Sequence, residues 1–489
     1  MILKDLLEGL DYELLSGSEQ TEIKELVYDS RKAAAQDVFV CIRGAVRDAH
    51  DFAEDVAKQG VAAIVVERDV EPAVKELTMV VKVKDTRYAL AVMAAAFFGH
   101  PAEKLTTIGV TGTKGKTSAT YMIKGILEGT GRKTGLIGTI ETIIGETHIP
   151  SNNTTPESYL VQSYFARMVE EGCQCVVMEV SSQGLMLHRV SGFTFDYGIF
   201  TNISPDHIGP NEHKDFEDYL ACKERLFSQC RHGIINADDP YAAQVIAHAS
   251  CDIETFGITQ EADYRAEQIE LYREQGSLGI SYHLTGKKNF PVRVDIPGRF
   301  SVYNSLTAVV LGLHFTDSPE ILQDALAKVQ VKGRVELVSV SDRYTLMIDY
   351  AHNAVSLTSI LETIREYQPG RIVTVFGCGG NRDRNRRYEM GEVSARLSDL
   401  SIITSDNPRF EKPEAIIDDI VVGVKRGGGK YITIPDRKEA IRYAMQNAQE
   451  GDVVILAGKG HEDYQEIEGK KYPMDERVLI QEILEEEKN

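Results

Sequence analysis

The sequence is short of cysteine, of net positive charge and of long apolar runs, and each shortage removes a class of protein. Seven cysteines are scattered over 489 residues with no C-x-x-C pair, so neither a disulfide framework nor a zinc ribbon is expected. Cys173 and Cys175 stand close together on an expected strand, pointing the same way, and read as core. The formal net charge of −20 argues against nucleic acid or an anionic membrane as partner. An anionic substrate must then be met by local basic residues rather than by a global field. No apolar run approaches the roughly 20 residues that span a bilayer. The opening MILKDLLEGLDYELL is amphipathic and carries acid early, unlike a signal peptide. No internal repeat or low-complexity segment is present. The expectation is a cytoplasmic globular protein, too long for one core and so built of two to four domains.

What the chain does have is TGTKGKTSAT, Thr111 to Thr120. The β-branched run TTIGV before it predicts a buried strand. After it, Ala119, Met122, Ile123, Ile126 and Leu127 recur at helical spacing. A glycine-rich turn between strand and helix gathers backbone N–H groups at the positive end of the helix, which suits polyphosphate. Gly112 and Gly115 permit the tight angles, Lys116 can reach terminal phosphate oxygens, and the Thr117 hydroxyl can ligate Mg²⁺. Val110 stands where the full G-x-x-x-x-G-K-[ST] pattern has its first glycine, so the loop is of a shortened type.

In chain order, residues 1–103 read as a small α/β domain closed by a helix from Thr86 to Phe98, with Gly99, His100 and Pro101 as a linker. Its YDSRK turn carries Ser30 and Arg31, a hydroxyl and a cation that on their own read as a solvated turn rather than a site. Residues 104–333 alternate strands and helices, implying a doubly wound, mostly parallel sheet. CVVMEVSS brings Glu179 to a strand's C-terminal edge, where such sheets collect ligands. A carboxylate in a buried run is costly unless paired or on a metal. FDYGIFTN leads into Asp206 and His207, which with Thr117 could surround Mg²⁺; equally, His207 could cap a loop. Lys223, alone on the helix FEDYLACKERLF, reads as a solvated charge. Residues 334–489 form a second, Rossmann-like α/β unit with strands in TLMIDYAH, RIVTVFGCGG, LSIITSDNPR and DVVILAGKGHE. Each ends in a polar cluster. GNRDRNRR is either the local cation supply or a solvated basic turn, and RGGGK (Arg426 to Lys430) reads as a flexible loop. Asp406 and Arg409, fixed around Pro408, could meet an ammonium and a carboxylate, as an amino acid requires.

TGTKGKTS, MEVSSQGL, DYAHN and SDNPR occur in order along essentially the whole chain, which resembles the Mur ligases of bacterial cell-wall synthesis. The tetrad Asp406 to Arg409 is similar to the signature of diaminopimelate-adding members. The resemblance implies ATP-driven joining of meso-diaminopimelate to UDP-N-acetylmuramoyl-L-alanyl-D-glutamate through an acyl phosphate, with three domains and small-molecule partners only. A monomer is expected. L-Lysine or another diamino acid is the alternative amine, and a P-loop ATPase switch the alternative class. By resemblance, Gly112, Thr113, Lys114, Gly115, Lys116, Thr117 and Ser118 would hold ATP, with Asn304, Arg334 and His352. Thr117, Glu179, His207 and a carbamylated Lys223 would hold Mg²⁺. Ser30, Thr154, Thr155, Ser182 and Arg189 would bind the UDP-muramoyl-dipeptide. Arg382, Asp406, Asn407, Arg409, Gly458 and Glu462 would bind diaminopimelate. Ser301, Ala354 and Lys412 depart from the family pattern.

Overall fold

The computed structural model describes residues 1–489 apart from 45, 46, 207, 210, 211, 275, 276 and 489. Chain contacts separate two compact units, Met1–Asp263 with Thr307–Asp317, and Tyr264–Leu306 with Ser318–Asn489. The cut runs inside the 104–333 segment, because Tyr264–Leu306 falls to the second unit.

The first unit holds two sheets. In the smaller, the strands run in the order Tyr12–Ser16, Met79–Val83, Ala63–Val66, Val38–Val40 and Leu26–Val27. All neighbours are parallel except the antiparallel edge Tyr12–Ser16. Period-two alternation sends Val38 and Val40 to one core with Ala89, Leu90 and Met93 of the helix Thr86–Phe97. Phe39 goes to the other, with Val56, Ala57 and Val74. The Asp85 side chain caps that helix by accepting from the N–H groups of Arg87 and Tyr88.

In the larger sheet of this unit, Asp252–Gly257, Cys230–Asn236, Phe195–Phe200, Thr106–Thr111, Cys175–Glu179 and Thr134–Ile137 lie side by side and parallel. Glu141–Ile144 and Thr147–Pro150 add an antiparallel margin. Burial on both faces explains why the central Cys175–Glu179 and the neighbouring Thr134–Ile137 read as nearly continuous apolar runs. Thr106–Thr111 sits between Cys175–Glu179 and Phe195–Phe200, so the chain leaves it at a point where strand order reverses. Ligand sites of doubly wound sheets form there. Cys173 lies before the strand rather than on it, yet both it and Cys175 are buried, as core.

The second unit has a six-stranded sheet, Glu336–Val338, Thr345–Asp349, Val453–Ala457, Ile372–Phe376, Leu400–Ile403 and Tyr431–Thr433, parallel but for its first edge. Leu346, Ile348, Val375, Leu456 and the helix residues Ile441 and Ile480 fill one core. Two features depart from expectation. Tyr264–Glu274, Ser277–Gly286 and Phe290–Val294 form an antiparallel ribbon where strand–helix alternation was expected. RGGGK is not all loop: Arg426 and Gly427 finish the helix Pro413–Gly427, and Gly428, at φ 76°, ends it. Gly423 and Gly427 lie against the helix Asn385–Leu397, where a Cβ would strike the Tyr388 carbonyl and the Ala395 methyl, which is why glycines stand in this helix.

Candidate active site

The phosphate loop is held from outside as well as by its own glycines. Gly112 has φ 149°, and a Cβ there would lie 2.0 Å from Thr201 Oγ1, so only glycine fits. The loop is laced to the segment after the neighbouring strand. Thr113 N donates to the Asn202 carbonyl (2.9 Å), Lys114 N to Asn202 Oδ1 (2.9 Å), and Thr201 Oγ1 to the Lys114 carbonyl (2.8 Å). Gly115, at φ 84°, turns the chain into the helix Lys116–Gly129, whose first turn carries Thr117 and Ser118. The Thr113 hydroxyl lies 3.0 Å from that of Tyr219.

Two lysines meet on this loop. Lys116 Nζ donates to the carbonyls of Gly112 (2.8 Å) and Thr113 (3.1 Å). Lys223 Nζ donates to the same Gly112 carbonyl at 3.0 Å and lies over the Tyr219 ring. Lys223 is 1% exposed, which corrects its reading as a solvated charge. Burial, and then the nearby Lys116 ammonium, lower its pKa well below the usual lysine value.

Glu179 ends the strand Cys175–Glu179 and is buried. Its oxygens accept from Thr139 N (2.8 Å) and Thr139 Oγ1 (3.1 Å), and Thr139 Oγ1 lies 3.1 Å from Thr154 Oγ1. Thr117 and Glu179 therefore offer hard oxygen donors of the kind Mg²⁺ takes. A neutral amine at Lys223 is the form that carbon dioxide can convert to an anionic carbamate, so these residues fit the metal chemically. His207 lies outside the described residues.

Below Glu179 a polar lattice links several expected substrate residues. Thr155 Oγ1 donates to the Glu179 carbonyl (2.9 Å) and accepts from Ser181 N (2.9 Å). Arg189 donates to the Thr155 carbonyl (3.1 Å) and to Glu157 (2.9 Å), which also binds Arg87 (3.1 Å). Ser182 Oγ lies 2.8 Å from His213 Nε2, whose Nδ1 is 3.0 Å from Asp218 Oδ2. Asp218 is held below the usual carboxylate range, chiefly by that hydrogen bond. His213, Asp218 and Cys222 bring possible ligand atoms within 4.8 Å of one another, but the His213–Asp218 contact is an ordinary hydrogen bond. Ser30 lies in the turn after Leu26–Val27, where Arg31 is turned onto Asp29 (2.7 Å). Among the described residues no hydrogen bond joins Ser30 to the phosphate loop.

The second unit gathers the rest. Asn304 is buried on the helix Phe300–Gly312. The Tyr350 ring packs against His352 (4.6 Å between centroids), His461 (4.8 Å) and the Arg334 guanidinium (5.0 Å). Arg334 Nε and His461 Nδ1 are both buried without a hydrogen-bond partner, which marks a cluster with polar capacity left over. Burial, aided by Arg334, Lys332 and Arg477, lowers the His461 pKa to about 4.

The tetrad Asp406 to Arg409 is locked by the segment 458–467. Asn407 Nδ2 donates to Glu462 Oε2 (2.9 Å), and Lys459 Nζ donates to both Asn407 Oδ1 (3.0 Å) and Glu462 Oε2 (2.8 Å). Arg409, at φ 51°, donates to the Gly380 carbonyl (2.7 Å) and Glu466 (3.0 Å). Gly458, at φ 108°, brings its backbone against Asp406; a Cβ there would be 3.0 Å from Asp406 Oδ2. Arg382 and Arg409 flank Gly379. The basic run supplies fewer cations than its sequence suggests. Arg387 is 1% exposed and forks onto Glu411 (2.7 Å) and Asp419 (2.9 Å), while Arg384 also turns to Asp419 (3.4 Å).

Sequence reasoning passed over His213, Tyr350 and Lys459. The last two lie inside quoted motifs, DYAHN and GKGHE, where a ring and a cation beside already chosen residues were the available signal. His213 had none beyond its nearness to Asp206 and His207.

Comparison with known proteins agrees with this architecture. The Mur ligase family, catalytic domain, matches residues 22–98; the Mur ligase middle domain, 110–312; and the Mur ligase, glutamate ligase domain, 333–460. The chain is 42% identical to UDP-N-acetylmuramoyl-L-alanyl-D-glutamate–2,6-diaminopimelate ligase of Clostridium perfringens, over 99% of this chain and 100% of the relative. It is 43% identical to the protein of that name from Caldanaerobacter subterraneus, over 99% of each. A solved structure of a ligase of the same name covers 100% of this chain and 99% of its own, with a TM-score of 0.76 at 27% identity. The chain belongs to the Mur ligase family. No helix among the described residues is long and apolar enough to cross a membrane.

Proposed function

We propose that this Mur ligase joins meso-diaminopimelate to UDP-N-acetylmuramoyl-L-alanyl-D-glutamate, consuming ATP and forming ADP, in the cytoplasmic synthesis of peptidoglycan precursors. The observation that carries the choice of amine is the tetrad Asp406 to Arg409, locked to Glu462, Lys459 and Glu466 so that carboxylates and guanidiniums stand on one framework. Diaminopimelate carries two ammoniums and two carboxylates, and Arg409 with Arg382 suits the second carboxylate, which lysine lacks. The relatives named for this reaction support the same choice.

In this reading residues 1–103 take the UDP end of the substrate, 104–333 bind ATP and 334–489 bind the amino acid. A carboxylate and an amine do not condense in water without activation. The γ-carboxylate of the D-glutamyl residue attacks the γ-phosphorus of ATP, and ADP leaves. The diaminopimelate nitrogen attacks the resulting acyl phosphate; inorganic phosphate leaves and the nitrogen loses its proton. Two anions must meet in the first step, so charge neutralisation and positioning are the protein's main contribution. The loop N–H groups and Lys116 cradle the phosphates. Mg²⁺, held by Thr117, Glu179 and a carbamate on Lys223, with His207 as a further ligand, would supply positive charge at the transferred phosphoryl group. Asn304, Arg334 and His352 contact the nucleotide, and Thr154, Thr155, Ser182 and Arg189 the muramoyl-dipeptide, with Ser30 at its UDP end. The protein acts as a monomer.

The test is ADP release from the purified protein with Mg²⁺, UDP-muramoyl-dipeptide and either meso-diaminopimelate or L-lysine. Turnover that needs the dipeptide and prefers diaminopimelate is expected. A preference for lysine would discard the pocket assignment, and ADP release without any amine would discard the ligase.

A further inference from the structure

Ser182, His213 and Asp218 form a connected chain of hydrogen bonds, and its direction follows from what each group can donate. Asp218 is the third residue of the helix Phe216–Glu224, beside the N-cap Asp215, which accepts from its backbone N–H. At that position the helix dipole favours a charged carboxylate. An ionised carboxylate only accepts, so the hydrogen in the 3.0 Å contact with His213 Nδ1 belongs to the imidazole. In the neutral ring Nε2 then carries a bare lone pair, and the hydrogen in the 2.8 Å contact with Ser182 Oγ belongs to the serine. His213 is fully buried and its ring packs against Tyr219 (5.1 Å between centroids), which leaves the imidazole little freedom to flip.

We infer that His213, oriented by Asp218, is a positioning residue that commits the Ser182 hydroxyl hydrogen to the imidazole, so that Ser182 offers the bound muramoyl-peptide an acceptor for an amide N–H. With its one hydrogen committed, Ser182 Oγ has only lone pairs to present, and carboxylates and phosphates, which present lone pairs too, are poor partners for it. Ser182 thereby reads the peptide backbone of the substrate, while Arg189 meets its anionic groups. The inference rests on the proposed reaction for its substrate, but not for the hydrogen-bond direction.

Two measurements test it. The first needs no turnover: nitrogen-15 NMR of the imidazole in the full-length protein at pH 8. The expected result is a His213 ring protonated at Nδ1 and bare at Nε2, reverting to the other tautomer or a mixture in Asp218→Asn, whose amide can also donate. An Nε2-protonated ring or an imidazolium in the unmodified protein overturns the inference. The second is steady-state kinetics. Ser182→Ala and His213→Ala should each raise KM for the muramoyl-dipeptide about tenfold, the scale of one hydrogen bond with a buried partner, with KM for ATP unchanged. Because His213 acts through Ser182, the double variant should match Ser182→Ala. An ester analogue lacking the amide N–H should show no penalty on Ser182→Ala. Additive losses, or an equal penalty on the ester, overturn the inference. If the unmodified protein releases no ADP with the dipeptide, the proposed reaction and this substrate role fall together, while the imidazole spectrum still decides the hydrogen-bond direction.

Discussion

Lys223 Nζ reaches the carbonyl oxygen of Gly112, 111 residues away in the chain, at 3.0 Å. A buried ammonium facing another ammonium, that of Lys116, is unfavourable, so a functional role for this lysine is the economical explanation. Lys223→Met fills the same volume without the charge. We expect it to melt no lower than the unmodified protein while ADP formation falls at least about 100-fold. Carbon-13 bicarbonate should give the unmodified protein a carbamate resonance that the variant lacks. A variant that keeps full turnover would refute the role.

The Gly112 carbonyl also accepts from Lys116, the residue proposed to reach the ATP phosphates. Lys116→Ala should lower kcat by about 10²- to 10³-fold, the scale of removing one positioned transition-state contact, with the melting temperature unchanged. Gly112→Ala should fail differently. Its Cβ would strike Thr201, so nucleotide binding itself should be lost, as read by fluorescent-ATP titration. Retained binding in Gly112→Ala would show that the loop adapts.

Much of this was legible in the sequence because parallel strands buried on both faces write themselves as apolar runs. Thr106–Thr111, Cys175–Glu179, Phe195–Phe200 and Val453–Ala457 all stand where such runs end in polar clusters. What was not legible depends on partners distant in sequence. Lys223 looks like any helical lysine until Gly112, 111 residues away, is placed against it. Arg387 sits in a basic run that reads as a cation supply, yet Glu411 and Asp419, more than 20 residues on, claim it for structure. The ribbon Tyr264–Val294 carries hydrophobic alternation compatible with surface strands, which a count of strand–helix alternation overlooks.

Arg409 offers a specificity test. Its guanidinium is oriented by Gly380 and Glu466 and flanks Gly379 beside Arg382, so the proposed pocket would present a fork geometry, not a charge alone, to the second carboxylate. Arg409→Lys keeps the charge and loses the fork. KM for meso-diaminopimelate should rise about 10- to 100-fold, the scale of a charged hydrogen bond, while the weak activity with L-lysine stays nearly constant. A parallel loss for both amines would mean that Arg409 only holds the hairpin Tyr464–Pro473.

Arg387 and Glu411 set a pH dependence of stability. The hydrogen bond from Arg387, followed by the Asn381 N–H, lowers the Glu411 pKa from its ordinary 4.5 to about 2. A carboxyl whose pKa is depressed by folding stabilises the fold above its unfolded value and ceases to do so as pH falls through the folded one. The contribution of Glu411 is therefore complete above pH 4.5 and disappears between 4.5 and about 2. Glu411→Gln has no proton to take up, so its melting temperature should start lower at pH 6 and fall less steeply below pH 4.5. Arg387→Met should be the more damaging change. It leaves Glu411 without its cation and Asp419 with Arg384 alone, so its midpoint should lie below that of Glu411→Gln at pH 6. Urea midpoints from pH 6 to 3 for the three proteins would decide the matter. Parallel curves for the unmodified protein and Glu411→Gln would show that Arg387 does not hold Glu411 ionised.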